Sequence, residues 1–300
     1  MKSSERSATT ALSSLWDFDL LHWPAGLLKR RWLARLAERL IEPLHLNAAS
    51  ALVALAGSYR AKVAFDLIPR RHYAYGVLRS ADLAREAGLS AITVLEFGVA
   101  CGAGLLNLCQ IAASVSRVTK VEISVVGLDS GRGLPLPIDY RDHPDIFQAG
   151  DYPMHEETLR RQLPSSARLI IGDFRETVPE LAKTLDRSAP VGFASLDVDY
   201  YSSAAEALRL FADPDPEKFL SNTLLYVDDI IFETANNWCG ELLAINEFNV
   251  GQPARKIQPD HFLRARRIFG RAAWLDQIYI LHVLDHPVMR SGCPRSPRTL

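Results

Sequence analysis

The chain has 300 residues, 48% of them hydrophobic and 23% charged, the balance of a globular protein with either one large α/β domain or two smaller ones. Lys and Arg number 34 against 35 Asp and Glu, a formal net charge of −1, so no basic surplus points to nucleic acid as a partner. Cys101, Cys109, Cys239 and Cys293 are spaced for neither a zinc site nor a disulfide framework, which makes a reducing cytoplasm the expected compartment.

The opening Met1-Lys2-Ser3-Ser4-Glu5-Arg6 leads into mixed polar residues rather than the apolar core of a signal peptide. No apolar run approaches the roughly 20 residues of a membrane span, so no transmembrane segment is expected. Residues 1 to about 14 are polar and Ser/Thr-rich, the composition of a disordered tail. Across residues 15–58, Leu27, Leu28, Trp32, Leu33, Leu36, Leu40 and Ile41 recur at helical spacing among Lys29, Arg30, Arg31, Arg35 and Arg39. Residues 1–58 therefore read as a tail and a helical cap. A peripheral membrane contact and a homo-oligomer contact are the alternatives for this stretch.

From Tyr73 onward strands and helices alternate. Residues 80–87 read as a helix that Gly88 ends, and 92–95 as a buried strand. A helix over 105–115 leads to a second strand over 121–128. Helices over 155–163, 176–185, 203–211 and 241–248 interleave with strands over 168–171, 192–196 and 224–227, and a last strand covers 278–283. This alternation predicts a Rossmann-like doubly wound, mostly parallel sheet with an N-terminal helical extension. Residues 59–290 form the expected catalytic domain, followed by a short tail over 291–300. The connection 134–152 is long and rich in Pro and Asp, as functional loops often are.

The stretch Val94-Leu95-Glu96-Phe97-Gly98-Val99-Ala100-Cys101-Gly102-Ala103-Gly104 follows the first strand and opens a helix. Its glycines let the backbone approach a ligand, and the helix start presents free N–H groups. A dinucleotide fingerprint G-x-G-x-x-G counted from Gly102 fails at Asn107. The spacing E-x-G-x-x-x-G-x-G instead resembles the first motif of class I S-adenosylmethionine-dependent methyltransferases. Glu96, Gly98, Ala100 and Gly102 are then the expected cofactor contacts. At the second strand end, Gly127-Leu128-Asp129-Ser130 offers a carboxylate for the ribose hydroxyls, with Ser130 beside it. At the third, Ile171-Gly172-Asp173-Phe174 offers Asp173 and Phe174 to an adenine edge and face. For each aspartate alone, a helix-capping role is the competing reading.

The fourth strand ends in Leu196-Asp197-Val198-Asp199-Tyr200-Tyr201-Ser202-Ser203 and the fifth in Tyr226-Val227-Asp228-Asp229-Ile230. In a doubly wound sheet these carboxylates converge and repel one another. A hard divalent cation, Mg²⁺, relieves that repulsion. Strand alternation turns Asp197 and Asp199 to one side, so that one can ligate while the other reaches the substrate. Asp197, Asp228 and Asp229 are the expected metal ligands, and Asp199 the base that deprotonates an acceptor hydroxyl. Capping of the following helix by Asp197, Asp199 or Ser202 is the alternative.

With these residues in hand the chain resembles the macrocin O-methyltransferase family, whose members include enzymes that methylate sugar hydroxyls of antibiotics. The matching pieces are Leu95-Glu96-Phe97-Gly98-Val99-Ala100, Leu128-Asp129-Ser130-Gly131-Arg132-Gly133-Leu134-Pro135, Ile171-Gly172-Asp173-Phe174, Leu196-Asp197-Val198-Asp199-Tyr200-Tyr201-Ser202-Ser203 and Val227-Asp228-Asp229. The resemblance implies a Mg²⁺-dependent enzyme with metal ligands at Asp197, Asp228 and Asp229 and a base at Asp199. Cys101, Arg132, the segment Gln148-Ala149-Gly150-Asp151-Tyr152-Pro153-Met154 and the tail after Trp238 depart from that pattern, which leaves the small-molecule hydroxyl acceptor open. A non-catalytic scaffold with the same fold and a nicotinamide-dependent oxidoreductase are the competing functions.

Among the remaining polar residues, His72, Tyr73 and Tyr75 either close over the cofactor or pack in the core. His143 and His155 read as solvated loop histidines. Glu241, Glu247 and Asn249 either line an acceptor pocket or form the wet side of a helix. His282, Asp285 and His286 read as edge polarity, and Arg264, Arg266 and Arg267 as a solvated face.

Overall fold

A computed structural model describes Arg39 and residues 41–290. The expected amphipathic stretch from Leu27 to Leu40 lies outside the described residues, except for Arg39. The chain divides into two compact units between Ala56 and Gly57. The described part of the first holds helix α1, Leu44–Ala56, in which the Ser50 hydroxyl donates to the Leu46 carbonyl at 2.9 Å.

The second unit carries a seven-stranded sheet, β1 Ala91–Phe97, β2 Glu122–Asp129, β3 Ala167–Ile171, β4 Val191–Leu196, β5 Phe219–Val227, β6 Arg255–Pro259 and β7 Ile278–Val283. Its order is β3-β2-β1-β4-β5-β7-β6. The first five strands are mutually parallel, and β7 runs antiparallel to both β5 and β6. The expected Rossmann-like, mostly parallel sheet is therefore present. The sequence reading placed β7 and overlooked β6.

Six of the seven β1 residues are buried, as a parallel strand covered on both faces requires. Alternation sends Ile92 and Val94 to one face and Leu95 and Phe97 to the other. The first face is covered by α3, Arg71–Glu86, and α4, Ala103–Thr119, with short α2, Tyr59–Ala64, leading in. Tyr73, Ala74, Val77, Ala81 and Ala84 form the buried stripe of α3, at the spacing of an amphipathic helix. The second face is covered by α6, Phe174–Thr184, α7, Tyr201–Leu208, and α8, Gly240–Gly251. Val178, Leu181, Ala204, Leu208 and Ile245 pack there. Helix α5, Glu156–Gln162, precedes β3. Among the described residues, no helix is long and apolar enough to cross a membrane.

The chain winds outward from β1 to β3 on one side and from β4 onward on the other. The strand order thus reverses between β1 and β4. In open α/β sheets the crevice at such a switch point, beyond the carboxyl ends of the strands, is where ligands bind.

Candidate active site

The loops leaving β1 and β4 meet back to back at that point. The Asp197 amide donates to the Phe97 carbonyl at 3.1 Å. Gly98 has φ +82°, and a Cβ there would lie 1.7 Å from the Asp197 carbonyl oxygen. Only glycine fits both the left-handed backbone and the contact. Ala100 also adopts positive φ, and Gly102 precedes the first residue of α4 beneath the Leu159 side chain.

Glu96, at the penultimate position of β1, is 1% exposed. Its Oε1 accepts a hydrogen bond from the Tyr73 hydroxyl at 2.9 Å, and that hydroxyl lies 2.9 Å from Ser195 Oγ on β4. A Cβ on Gly104 would fall 2.0 Å from the same Oε1, so the first turn of α4 passes directly over the carboxylate. Glu96 Oε2 is buried without a hydrogen-bond partner. Burial raises the Glu96 carboxyl to about 7, with Arg70 and the Tyr73 hydroxyl opposing the rise and Asp129 adding to it.

Asp129, 8% exposed, accepts from the amides of Val99 and Ala100 at 2.8 Å each and from Gly131 at 2.7 Å. It braces the glycine loop, and three of its roughly four acceptor sites are taken. Ser130 Oγ donates to the Gly133 carbonyl and accepts from the Arg132 amide, which shapes the next turn. Asp173 caps α6 by accepting from the Arg175 amide at 2.8 Å and pairs with the Arg175 guanidinium. Of its two sequence readings, the helix cap describes this geometry. Phe174 packs edge-on against Phe97, with ring centroids 5.7 Å apart.

The acidic residues gather just past the ends of β4 and β5. Each of Asp197, Asp228 and Asp229 offers an oxygen, and these oxygens lie within 4.8 Å of one another. Among the described residues this is the only such grouping of His, Cys, Asp and Glu. Octahedral Mg²⁺ at 2.0–2.1 Å per bond places opposite ligands about 4.2 Å apart, so these oxygens would have to draw slightly closer to hold one cation. The Asp197 carboxyl is pushed well above the carboxylate range, by burial first and then by Asp228, Asp229 and Asp199, with Arg70 opposing.

Asp199 joins the cluster differently from the sequence expectation. β4 ends at Leu196, so strand alternation does not govern Asp197 and Asp199. Asp199 instead sits at the centre of a tight turn in which the Tyr200 amide donates to the Val198 carbonyl at 2.6 Å, with φ +61°. A strained backbone of this kind persists where the surroundings hold it, often at functional sites. The Asp199 side chain is buried, and burial, Asp228 and Asp151 raise its carboxyl to about 7.

Other residues hold the acidic cluster in place. The Tyr226 hydroxyl donates to Asp228 Oδ1, and the Gln277 amide donates to the Asp228 carbonyl at 2.7 Å. His72 stacks on Tyr226, with ring centroids 4.0 Å apart. Glu241, fully buried in the first turn of α8, accepts from the Val198 amide at 3.1 Å and the Asp229 amide at 3.0 Å. Its carboxyl is pushed well above its ordinary value by burial and by Asp229.

The long connection after β2 is tied down beside this cluster. Asp142, 1% exposed, accepts from the Ser202 amide at 2.8 Å, from Ser202 Oγ at 3.1 Å and from the Ile138 amide at 2.8 Å. It therefore caps α7 and pins the loop with one carboxylate. At the loop base the Leu134 amide donates to the Asp151 carbonyl and the Gly150 amide to the Leu134 carbonyl. Tyr152, half exposed beside the acids, has its phenol pushed up to about 12, by burial first and then by Asp199 and Asp229. His143, expected to be solvated, is 5% exposed, because its ring packs edge-on against Phe232 and beside Gly240.

Elsewhere Arg264 pairs with exposed Asp276 at the surface, as a solvated face would, and Arg266 with the buried carboxylate of Asp260. Arg267 is not at the surface: its side chain is 8% exposed and pairs with buried Asp66. Asp285 pairs with Arg255. Asn249 ties α8 to β6 by exchanging hydrogen bonds with Ile257, and Glu247 accepts from the Tyr201 hydroxyl at 2.6 Å.

No protein-family model and no curated protein matches the chain. Solved structures do. The calicheamicin methyltransferase CalS11 is 16% identical, with 80% of this chain and 91% of that chain covered and a TM-score of 0.47. The O-methyltransferase from Bacillus cereus in complex with SAH is 13% identical over 83% of this chain and 96% of that one, with a TM-score of 0.39. The methyltransferase MycE from the mycinamycin biosynthetic pathway, in complex with Mg and SAH, is 12% identical over 73% and 51%, with a TM-score of 0.36. The doubly wound assignment of this chain stands on its own strand order.

Proposed function

We propose that this chain is an S-adenosylmethionine-dependent O-methyltransferase that uses a divalent cation, Mg²⁺, to methylate a hydroxyl of a sugar-like or other small-molecule acceptor. The observation that carries this reading is the contact between two loops. Gly98, in the glycine loop after β1, rests on the carbonyl of Asp197, and Asp197 shares an oxygen cluster with Asp228 and Asp229. A nucleotide-type loop and a hard-cation site therefore adjoin at the switch point of the sheet.

The residues present fit both absent groups. Glu96 Oε2, buried and unpartnered, would accept a hydrogen bond from the ammonium of a methionyl group. The carboxylates of Asp197, Asp228 and Asp229 would hold the cation, which offsets the repulsion that now raises Asp197. When bound, the cofactor supplies an electrophilic methyl on a sulfonium and the cation acidifies an acceptor hydroxyl. Asp199 is the base: its side chain is buried beside Asp228, held in place by a turn with φ +61°. Asp129 keeps the glycine loop in shape and has one acceptor site left for a ribose hydroxyl. Tyr152 and the loop around it form the side from which an acceptor would approach.

Calorimetric titration with S-adenosylmethionine and with NAD, each with and without Mg²⁺, tests the reading. Binding of S-adenosylmethionine and none of NAD is the expected result. Tight NAD binding with no response to S-adenosylmethionine would overturn it. For the base, Asp199→Asn should still bind the metal and lower methyl transfer by about 10²–10⁴-fold; unchanged turnover would remove Asp199 from that role.

A further inference from the structure

We infer that Glu241 is a positioning residue that sets the distance between the two halves of the cation site, an inference that rests on the metal reading above. The last ladder contact between the two acidic segments is the Asp228 amide donating to the Leu196 carbonyl at 3.0 Å. Beyond it, among the described residues, no backbone hydrogen bond joins the segment after β4 to the segment after β5. Glu241 continues the link from outside the sheet. Its Oε1 accepts from Val198, the residue between Asp197 and Asp199, and its Oε2 accepts from Asp229 itself. One rigid carboxylate thus spans the β4 and β5 segments that supply the whole oxygen cluster.

The choice of side chain follows from the donors. Two N–H groups converge on one planar group, and the glutamate presents one oxygen to each. A glutamine of the same shape offers one acceptor and one NH₂, so one amide donor would face another donor. Glu241 reaches the gap because it occupies the first turn of α8, where the helix dipole favours a negative charge. A fully buried carboxylate beside Asp228 and Asp229 is an expensive choice for stability alone. Its placement is intelligible as support for ligating groups, which metal sites draw from the residues behind the ligands.

The test compares the full-length chain with Glu241→Gln, reading Mn²⁺ affinity from the loss of the free-ion electron paramagnetic resonance signal and S-adenosylmethionine affinity by calorimetry. The variant should bind Mn²⁺ roughly 10–100-fold more weakly and keep its cofactor affinity, a split that general loosening would not produce. Glu241→Asp, which retains two acceptors on a shorter arm, should recover part of the loss. Mn²⁺ affinity equal to that of the parent in a folded Glu241→Gln chain would overturn the role of Glu241 and leave the metal reading standing. A parent chain that binds no Mn²⁺ would overturn both. Should Glu241→Gln not fold, amide exchange in the parent decides: Val198 and Asp229 should be protected and gain protection with Mg²⁺, and fast exchange at both would overturn the inference.

Discussion

Replacing Glu96 by Gln isolates the electrostatic cost of the buried carboxylate at the end of β1, just before the glycine loop. The glutamine keeps an acceptor for the Tyr73 hydroxyl and removes the ionisable group. In the folded chain the Glu96 carboxyl is raised from 4.5 to about 7. A raised acid binds its proton more tightly in the folded state than in the unfolded one, so stability is fully present below about pH 4.5 and is lost as pH rises towards 7. At about 1.4 kcal/mol per unit, the displacement corresponds to roughly 3 kcal/mol at pH 8 and under 1 kcal/mol at pH 5. The unpartnered amide N–H₂ of the variant adds a penalty that does not depend on pH, so the informative quantity is the change between the two conditions. Between pH 5 and pH 8, in the absence of cofactor, Glu96→Gln should gain about 2–3 kcal/mol relative to the parent, or roughly 5–10 °C in Tm. Urea denaturation at both pH values measures it. A stability difference that stays constant across that range would refute the view that Glu96 is held at elevated pKa.

Three further outcomes follow from the geometry. Gly98→Ala should cost several kcal/mol, because the new methyl meets the Asp197 carbonyl at 1.7 Å on a left-handed backbone; thermal unfolding reads the loss, and Mn²⁺ titration should show the metal site disturbed with it. Asp142→Ala should destabilise the chain by about 1–3 kcal/mol by leaving the Ser202 and Ile138 amides without their acceptor. Limited proteolysis should then cut within residues 134–152 faster than in the parent, with KM for the acceptor rising more than KM for S-adenosylmethionine. Tyr226→Phe removes the hydroxyl that donates to Asp228 and should weaken Mn²⁺ binding about tenfold with little change in Tm, measured by the same resonance titration.

Much of the sheet was legible because parallel strands are buried on both faces and read as continuous apolar runs, as in Ile92-Thr93-Val94-Leu95. β6 was missed because Arg255-Lys256-Ile257-Gln258-Pro259 holds one aliphatic residue and a terminal proline; its pairing with β7, not its own pattern, makes it a strand. The start of α3 at Arg71 was also hidden, since Tyr73 and His72 carry polar tips and their burial is tertiary. The acidic cluster was readable from its position at two strand ends. What holds it was not: a glutamate in a first helical turn is ordinary by local rules, and nothing near Glu241 in sequence reveals that its acceptors serve Val198 and Asp229. Asp142 and His143 were equally opaque, because a loop rich in Asp and Pro reads as solvated until its anchor on α7 is seen.

That anchor has a consequence for how such a protein could change its preferences. The acidic cluster is braced by the sheet itself, through strand ends that touch one another across Gly98 and Asp197. The outer wall is pinned by Asp142, by the His143 ring against Phe232 and by the bonds at its base, and its tip exposes Leu136, Ile138 and Tyr140 to solvent. Residues at that tip can be exchanged without disturbing Glu96, Asp197 or Asp229. On the proposed function, a fixed site would then stand beside an exchangeable rim, and new acceptors could be explored by rewriting the stretch between Leu134 and Asp142.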